Sequence, residues 1–396
     1  MALDLDWLIL GGGIHGTLVS HFLTATGQGV RDRLRVLDPH EHPMAVWRHC
    51  ARSVGMRYMR SPSVHHIDLK PWSMRAFANE RKIKARGFAS PYHRPRLDVF
   101  EAHCDWVIER DDLRALRCRG TATGLRRGPA GEGWSVSTDA GELRSRRVVL
   151  AMGSMHALAW PRWARALNGT GRVEHVLEPG FSRSDLALTD DVAVVGGAIS
   201  AAQLALCLAG TRGRSGRVVV LARREPWIRQ FDTDPGWLGP RYLTGFAREP
   251  CMQERRRLIG QARGGGTISP EEWRRVRRAI RADSLEWRHD EVVSAQIHPP
   301  HHQIELGLRA GGVLRVDRVV LATGFDRGRP LAPWLEQVAR EQELSRAPCG
   351  APILTPDLQW GPGLFVTGPG AELQLGPVAR NVSGARMAAQ RLVAAV

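Results

Sequence analysis

Three glycines near the N-terminus have the spacing of a loop that binds a pyrophosphate. Gly11, Gly13 and Gly16 follow a short apolar run and precede an apolar segment with helical character. In such a loop the first glycine permits a tight turn, the second lets a pyrophosphate approach the helix N-terminus, and the third allows close packing. Asp38 ends the next apolar run, where a carboxylate can accept the ribose hydroxyls of an adenine dinucleotide. We therefore predict a dinucleotide site that contains these four residues and their neighbours Ile14 and His15.

A second loop of this kind begins 185 residues later. Gly196 follows an apolar run, but Ala198 stands at the second glycine position and adds a methyl group where a pyrophosphate would pass. After the next apolar run come Arg223 and Arg224, at the place where the first loop is followed by an acid. Two guanidinium groups suit a 2′-phosphate, so we predict that this second site, which includes Ser200, prefers NADPH to NADH.

An apolar strand that ends in Ala-x-Gly occurs twice and divides the chain. The two copies end at Gly153 and Gly324, which we include among the candidate cofactor residues. The sequence therefore predicts an α/β protein with two Rossmann-like domains. In this arrangement an FAD-binding domain of residues 1–187 and 318–396 carries an inserted NADPH-binding domain of residues 188–317.

Local signals predict two further helices. Ser269 begins a capping pattern, and we expect a helix over about residues 269–283 within the inserted domain. The last helix is predicted over residues 376–392, where small residues allow close packing. Its N-terminus can face the pyrimidine carbonyl of a flavin, although an ordinary packing helix would show the same pattern. This places Gln374, Leu375 and Gly376 among the candidate FAD residues.

Composition and charge exclude several classes of protein. The chain has 396 residues, of which 43% are hydrophobic, and this is enough for two full cores. The basic residues behind its formal charge of +16 are scattered without an aromatic-interleaved stripe, which disfavours nucleic-acid binding. No apolar run has the length of a membrane span or forms a signal peptide, so we expect a cytoplasmic protein without a membrane partner. Six cysteines without a C-x-x-C pair or metal-ligand spacing predict reduced thiols and no metal.

Further segments follow the first glycine loop in a recognisable order. They are Met59–Phe77, Arg94–Phe100 with Trp106, Gly196–Ala202, Ala322–Phe325 and Leu375–Pro377. In these segments and their order, the chain resembles the FAD- and NADPH-dependent N-hydroxylating monooxygenases, the lysine and ornithine N-hydroxylase family of siderophore biosynthesis. It resembles the class B flavin monooxygenases more loosely. The resemblance spans most of the chain, which looks like a short divergent branch of the N-hydroxylases.

The resemblance implies a reaction, its cofactors and further site residues. NADPH would reduce FAD, O2 would add at the flavin C4a position to form a hydroperoxide, and an uncharged amine would take the distal oxygen. Arg60 and Pro62 would line the edge of the isoalloxazine ring, and the protein could form a homo-oligomer. His65 stands where the family has a lysine that binds the substrate carboxylate. His65 and His66 are therefore either substrate ligands or ordinary surface histidines.

The function predicted from the sequence is the NADPH- and O2-dependent N-hydroxylation of a small primary amine or amino acid by an FAD enzyme. Two other functions stay open: an NADPH-dependent flavoprotein reductase of a quinone, disulfide or other acceptor, and a non-catalytic redox sensor in which Ala198 weakens NADPH binding. Of the flavin-monooxygenase fingerprint F-x-G-x-x-x-H only Gly171 and His175 are present, which disfavours ketone or sulfide oxygenation. The sequence nominates no catalytic acid or base.

Overall fold

The computed structural model describes residues 5–27, 29–128, 131–298, 303–326, 328 and 331–394. The strands are β1 Leu5–Leu10, β2 Leu34–Asp38, β3 Phe88–Ala89, β4 Arg94–Pro95, β5 Arg117–Arg119, β6 Ala122–Arg127, β7 Trp134–Thr138, β8 Gly141–Leu150, β9 Val173–His175, β10 Val192–Val195, β11 Val218–Leu221, β12 Glu286–Arg288, β13 Val292–His298, β14 Gln303–Leu308, β15 Val313–Val316, β16 Arg318–Leu321, β17 Gln359–Gly361 and β18 Leu364–Val366. The helices are α1 Ile14–Thr26, α2 Ala45–Ser53, α3 Ser73–Glu80, α4 Leu97–Arg110, α5 Arg162–Arg165, α6 Ile199–Ala209, α7 Pro240–Arg248, α8 Met252–Arg263, α9 Pro270–Arg281, α10 Pro333–Glu341, α11 Glu372–Leu375 and α12 Val382–Ala394.

The larger sheet contains the strand that leads into the first glycine loop. Its order is β17-β18-β8-β1-β2-β5, and β6 and β7 extend it through β8. β1 pairs in parallel with β2 on one side and with β8 on the other. The chain therefore continues from β1 to one side of the sheet and later returns to the other side. In open α/β sheets such a change of direction opens a ligand crevice at the carboxyl ends of the strands. The loop Gly11–Gly16 lies at this end of β1.

A second parallel sheet contains the strand that leads into the second glycine loop. Its order is β12-β11-β10-β16-β9, and β10 again lies between two parallel neighbours. Val192, Ala193 and Val194 of β10 have no solvent exposure, as expected for a parallel strand that is covered on both faces. The antiparallel sheet β13-β14-β15 completes this part of the chain. The predicted α/β fold class with two Rossmann-like units is therefore confirmed.

Two strands of the second sheet lie outside the predicted insertion of residues 188–317. β16 pairs in parallel with β10, and β9 pairs in parallel with β16. The two Ala-x-Gly endings look alike in sequence, but the strand before Gly153 pairs with β1 whereas the strand before Gly324 pairs with β10. We call the part of the chain from β9 to β16 the second lobe and the remainder the first lobe. The assignment of a cofactor to each lobe stays a prediction.

Of the two helices predicted from local signals, one is confirmed and one begins later than expected. Ser269 caps α9, because its side chain accepts a hydrogen bond from the Glu272 N–H. The helix predicted to start at Gly376 instead starts at Val382. Gly376 has φ of +77° and is followed by Pro377, so the backbone turns here before the helix can form. Among the described residues no helix has the length and apolar character needed to cross a membrane.

Each lobe has its own core, and the two cores are in contact near the end of α2. In the first lobe, Ile9 packs in a buried cluster with Leu18 of α1, Val107 of α4 and Leu392 of α12. In the second lobe the corresponding cluster forms between the sheet and α6 and α9. Val54, directly after α2 in the first lobe, is buried in this second cluster. The lobes are therefore joined by apolar packing, which holds the two glycine loops in one body.

Candidate functional site

The three glycines of the first glycine loop, Gly11, Gly13 and Gly16, differ in whether the fold itself requires glycine at their positions. Gly11 has φ of +107°, and a Cβ there would lie 2.7 Å from the Ala151 carbonyl oxygen. A Cβ on Gly16 would overlap the Gly11 carbonyl oxygen. Gly13, however, has φ of −70°, and a Cβ there would meet nothing within 4 Å. Because the fold itself does not require glycine at position 13, the open space beside α1 fits a ligand that approaches the backbone.

The N-terminus of α1 and the end of β2 provide the groups that the sequence assigned to a dinucleotide. The N-cap residue of α1 is Gly13, which has no side chain that could cap the helix, so the first-turn N–H groups of Ile14 and His15 suit an anion. Asp38 lies at the end of β2, where its Oδ2 accepts a hydrogen bond from the Gly12 N–H at 2.6 Å. The fit of these residues to a pyrophosphate and a ribose supports the predicted FAD site.

His15 contacts the end of β18 and is uncharged. Its Nδ1 lies 2.7 Å from Oγ1 of Thr367. Burial lowers the pKa of His15 to about 4, so the ring is neutral at physiological pH. This contact joins the first glycine loop to the segment that leads toward Gly376. Gly153, in contrast, is exposed after β8, and a Cβ there would meet nothing within 4 Å.

Arg60 binds the two lobes to each other. Its Nε donates to the Gln230 carbonyl oxygen at 2.6 Å, and its Nη2 donates to the Arg229 carbonyl oxygen and to Oγ1 of Thr267, each at 2.6 Å. Nη1 forms an ion pair with Asp232 at 2.5 Å. These bonds all go to the second lobe, which the sequence did not indicate. The predicted role of Arg60 and Pro62 at the edge of a flavin ring stays a prediction.

The two histidines proposed as substrate ligands have different surroundings. His66 is fully buried: its Nε2 lies 3.0 Å from the Pro71 carbonyl oxygen, and its Nδ1 accepts from the Asp68 N–H at 3.1 Å. Both ring nitrogens are used within the loop, which gives His66 a structural role, and its part in substrate binding stays a prediction. Burial, assisted by the charge of Arg386, lowers the pKa of His65 to about 4. A neutral His65 cannot replace the charge of a lysine.

A buried carboxylate joins the C-terminal segment to α8. Both oxygens of Glu372 accept hydrogen bonds from Arg380, at 2.5 and 2.9 Å, and Oε2 also accepts from Arg256 at 3.0 Å. Beside this cluster, Arg255 donates to Oε1 of Gln374 at 3.0 Å. Burial would raise the pKa of Glu372, but the hydrogen bond from Arg380 and the surrounding guanidinium charges lower it below its usual value. Gln374 is thus held by the second lobe.

The other two C-terminal candidates are packed rather than free. Leu375 has no solvent exposure and lies in an apolar cluster, so only its backbone can face a cofactor. A Cβ on Gly376 would meet Leu243 at 3.4 Å and Trp237 at 3.5 Å, both from the second lobe. Leu243 and Trp237 therefore pack against the turn at Gly376, which was predicted to contact FAD.

The carboxyl end of the second sheet opens into a cavity of about 1590 Å³. This volume exceeds the roughly 300–1,000 Å³ that holds a typical small ligand. Arg263 of the second lobe and Arg380 of the first both line it, so the cavity reaches from one lobe to the other. The structure brings together here the four residues predicted to hold NADPH, Gly196, Ser200, Arg223 and Arg224, and the candidate cofactor residues Ala198 and Gly324.

A run of three glycines, which we call the glycine strap (residues 264–266), lies over the second glycine loop, which begins at Gly196. A Cβ on Gly265 would overlap the guanidinium of Arg224, and a Cβ on Gly266 would lie 2.7 Å from the Cβ of Ala198. The next residue, Thr267, accepts a hydrogen bond from the Ile199 N–H through its carbonyl oxygen at 3.1 Å. The methyl group of Ala198 is therefore accommodated by the strap. Sequence reasoning missed the strap, although a second run of three glycines was a visible signal.

Replacing Gly266 by alanine tests the strap. We expect Gly266→Ala to raise the KM for NADPH and lower the melting temperature, because the new methyl group would press on Ala198 and displace the strap from Arg224. Gly311→Ala is the matched control: its φ is +99°, close to the +94° of Gly266, but its Cβ would meet nothing within 4 Å. Equal effects of both variants on the KM for NADPH would contradict a role of the strap in cofactor binding. Ala198→Gly should partly restore the Gly266→Ala variant.

Residues 8–155 match a family model described as FAD-NAD(P)-binding. The matched region contains the first glycine loop and Asp38, and the match agrees with the dinucleotide site predicted there. Comparison with curated protein sequences gives no match.

Several solved structures have the same fold over nearly the whole chain. The ornithine N-hydroxylase of Kutzneria sp. 744, with reduced FAD, NADP+ and L-ornithine, has a TM-score of 0.79 at 17% identity, covering 99% of this chain and 98% of that one. The FAD-bound cadaverine monooxygenase of Erwinia amylovora has a TM-score of 0.79 at 13% identity, with coverage of 99% and 94%. The bacillithiol disulfide reductase of Bacillus cereus has a TM-score of 0.63 at 16% identity, with coverage of 99% and 98%. The fold implied by the sequence resemblance is therefore confirmed.

Proposed function

We propose that this protein is an FAD- and NADPH-dependent monooxygenase that N-hydroxylates a small primary amine or amino acid. The observation that carries the proposal is the difference in fold likeness, with a TM-score of 0.79 for the two amine-hydroxylating enzymes against 0.63 for the disulfide reductase. Each comparison covers 99% of the chain, so the difference concerns the arrangement of the whole molecule. None of the six cysteines, all of which are described, forms a disulfide.

The first lobe supplies the groups that would hold FAD. The open space beside Gly13 and the first turn of α1 would take the pyrophosphate, and Asp38 would take the ribose hydroxyls. When bound, FAD would pass two electrons from NADPH to O2, so that one oxygen atom goes to the amine and the other leaves as water. The neutral His15 adds no charge to this part of the site.

The second lobe supplies the groups that would hold NADPH. Arg223 is largely exposed, and Arg224 lies against Gly265 with its guanidinium 5.3 Å from the ring of Trp227. A 2′-phosphate beside these two arginines would be bound by charge-assisted hydrogen bonds. Because the cavity extends to Arg380, a dinucleotide held here can reach the first lobe.

The charge between the lobes suits the chemistry of an amine nucleophile. Arg256, Arg263 and Arg380 surround the single carboxylate of Glu372, which leaves an excess of positive charge. Arg263 and Arg380 also line the cavity. Nearby positive charge disfavours a protonated amine and therefore lowers its pKa. The arginines would thus keep the substrate nitrogen uncharged, which it must be in order to attack oxygen.

A turnover experiment tests the proposal. We expect purified, FAD-loaded protein to oxidise NADPH faster with ornithine, lysine, cadaverine or another primary amine, and to form a hydroxylamine in proportion to the NADPH consumed. The measurement records NADPH, hydrogen peroxide and hydroxylated product together, over a panel that also contains sulfides, quinones and disulfides. A parallel series without O2 serves as the control.

The other functions predict different results in the same assay. A reductase would consume NADPH with a quinone or disulfide and would continue to do so without O2. A redox sensor would bind both cofactors and show no sustained turnover with any compound of the panel. Either result would replace the proposed monooxygenase.

A further inference from the structure

Arg117 lies in the first dinucleotide site, although it belongs to none of the sequence motifs. It is the first residue of β5, which pairs in parallel with β2. Its side chain is only 10% exposed, and its Nη2 donates to the His40 carbonyl oxygen and lies 3.4 Å from Oδ1 of Asp38. A Cβ on Gly12 would overlap Nη1 of this guanidinium. Any side chain at position 12 would therefore collide with Arg117, which explains why this residue is glycine.

The carboxylate of Asp38 is held in one orientation by donors from three parts of the lobe. Oδ2 accepts from the Gly12 N–H at 2.6 Å. Oδ1 lies 2.9 Å from both the backbone nitrogen and Nδ1 of His40, and 3.4 Å from Nη2 of Arg117. A carboxylate offers about four acceptor positions, so ribose hydroxyls must share oxygens that already have partners. Three of these contacts are to Oδ1, so the oxygen with acceptor capacity for a ribose hydroxyl is Oδ2, whose partner is the Gly12 N–H.

We propose that Arg117 is a positioning residue for the adenosine half of FAD. It orients the Asp38 carboxylate toward the ribose while its guanidinium packs against Gly12 of the glycine loop. The inference rests on the assignment of FAD to the first lobe. A guanidinium suits this position because its planar fork can bind the His40 carbonyl and a carboxylate at the same time.

Titration of flavins into the full-length protein stripped of flavin tests this role. The dissociation constants for FAD and for FMN, which lacks adenosine, are measured by the quenching of flavin fluorescence. We expect Arg117→Met to raise the Kd for FAD about 10-fold, as for the loss of one charge-assisted contact, and to leave the Kd for FMN unchanged. Arg119→Met is the matched control, because Arg119 lies on the same strand with an exposed side chain. It should change neither constant.

A second comparison separates positioning from a general loss of structure. Because Arg117 acts through Asp38, the Arg117→Met change should have little further effect in an Asp38→Asn background. Arg117→Lys keeps the charge but loses the fork, and it should show a smaller loss that is again confined to FAD. This variant decides the question if Arg117→Met does not fold.

The outcomes distinguish this inference from the proposed function. An unchanged Kd for FAD in the Arg117 variants, equal losses for FAD and FMN, or full additivity with Asp38→Asn would overturn the role of Arg117 and leave the monooxygenase proposal intact. Failure of the unaltered protein to bind FAD would overturn both.

Discussion

Replacing Arg223 and Arg224 together by alanine is expected to raise the KM for NADPH on the order of 100-fold and to leave the KM for NADH nearly unchanged. Both side chains line the cavity of the second lobe, beyond the end of β11. Each charge-assisted hydrogen bond to a phosphate contributes about 1.5–3 kcal/mol, and every 1.4 kcal/mol corresponds to a factor of ten. NADH has no 2′-phosphate and therefore loses nothing. Steady-state oxidation of the two dinucleotides measures the effect.

A variant that removes the same charge elsewhere controls this prediction. Arg126 and Arg144 both bind Glu142 at the surface of the first lobe, and their joint replacement by alanine also removes two positive charges. This control should lower the affinity for NADPH only slightly, through the weaker long-range attraction of a less basic protein. If the Arg223 and Arg224 double variant raised both KM values equally, the arginines would not recognise the 2′-phosphate, and the assignment of NADPH to this lobe would lose its main support.

Replacing Glu372 by glutamine is expected to lower the free energy of unfolding by about 3 kcal/mol. Glu372 is 1% exposed and binds Arg256 and Arg380, so the neutral amide would leave two half-buried guanidinium charges without their buried counter-ion. The contacts also cross between the lobes, since Arg256 lies on α8 and Glu372 on α11. Denaturant-induced unfolding of the full chain measures the loss.

The pH dependence of this effect has a definite sign. The pKa of Glu372 is lowered in the folded protein, so its stabilisation is present above the unfolded value of about 4.3 and is lost as the pH falls below it. The stability difference between the unaltered protein and Glu372→Gln should therefore narrow below about pH 4. Glu142→Gln is the matched control, because Glu142 also has two arginine partners but is exposed. Its replacement should leave the stability nearly unchanged, and an equal loss in both variants would contradict the importance of burial.

The parts of the site that could be predicted from sequence are those with a local cause. Gly11 and Gly16 are required by contacts within the strand–loop–helix unit itself or by the adjacent strand. The cap of α9 depends on Ser269 and Glu272, three residues apart. The four residues predicted to hold NADPH line one cavity, because the ends of parallel strands meet at one edge of a sheet.

The parts that could not be predicted depend on contacts between distant segments. His66 and His65 are adjacent in sequence, but only the folded loop turns His66 into the interior. The polar bonds of Arg60 go to residues between 169 and 207 positions away in the chain, and no local pattern indicates them. The predicted insertion of residues 188–317 leaves out β9 and β16 of the second sheet for a related reason, since strand pairing and not strand sequence decides to which sheet a strand belongs.

By itself, the sequence determined that this protein has two dinucleotide-type loops on an α/β fold, with an acid after the first loop and two arginines after the second. These features depend on backbone sterics and on hydrophobic periodicity over a few neighbouring residues. Both can be recognised in the sequence of the motif alone. Only the tertiary structure decided that Arg117 holds Asp38, that the glycine strap makes room for Ala198, and that Glu372 joins the lobes. These contacts arise because buried charges and close backbone approaches need partners, and folding alone brings those partners together.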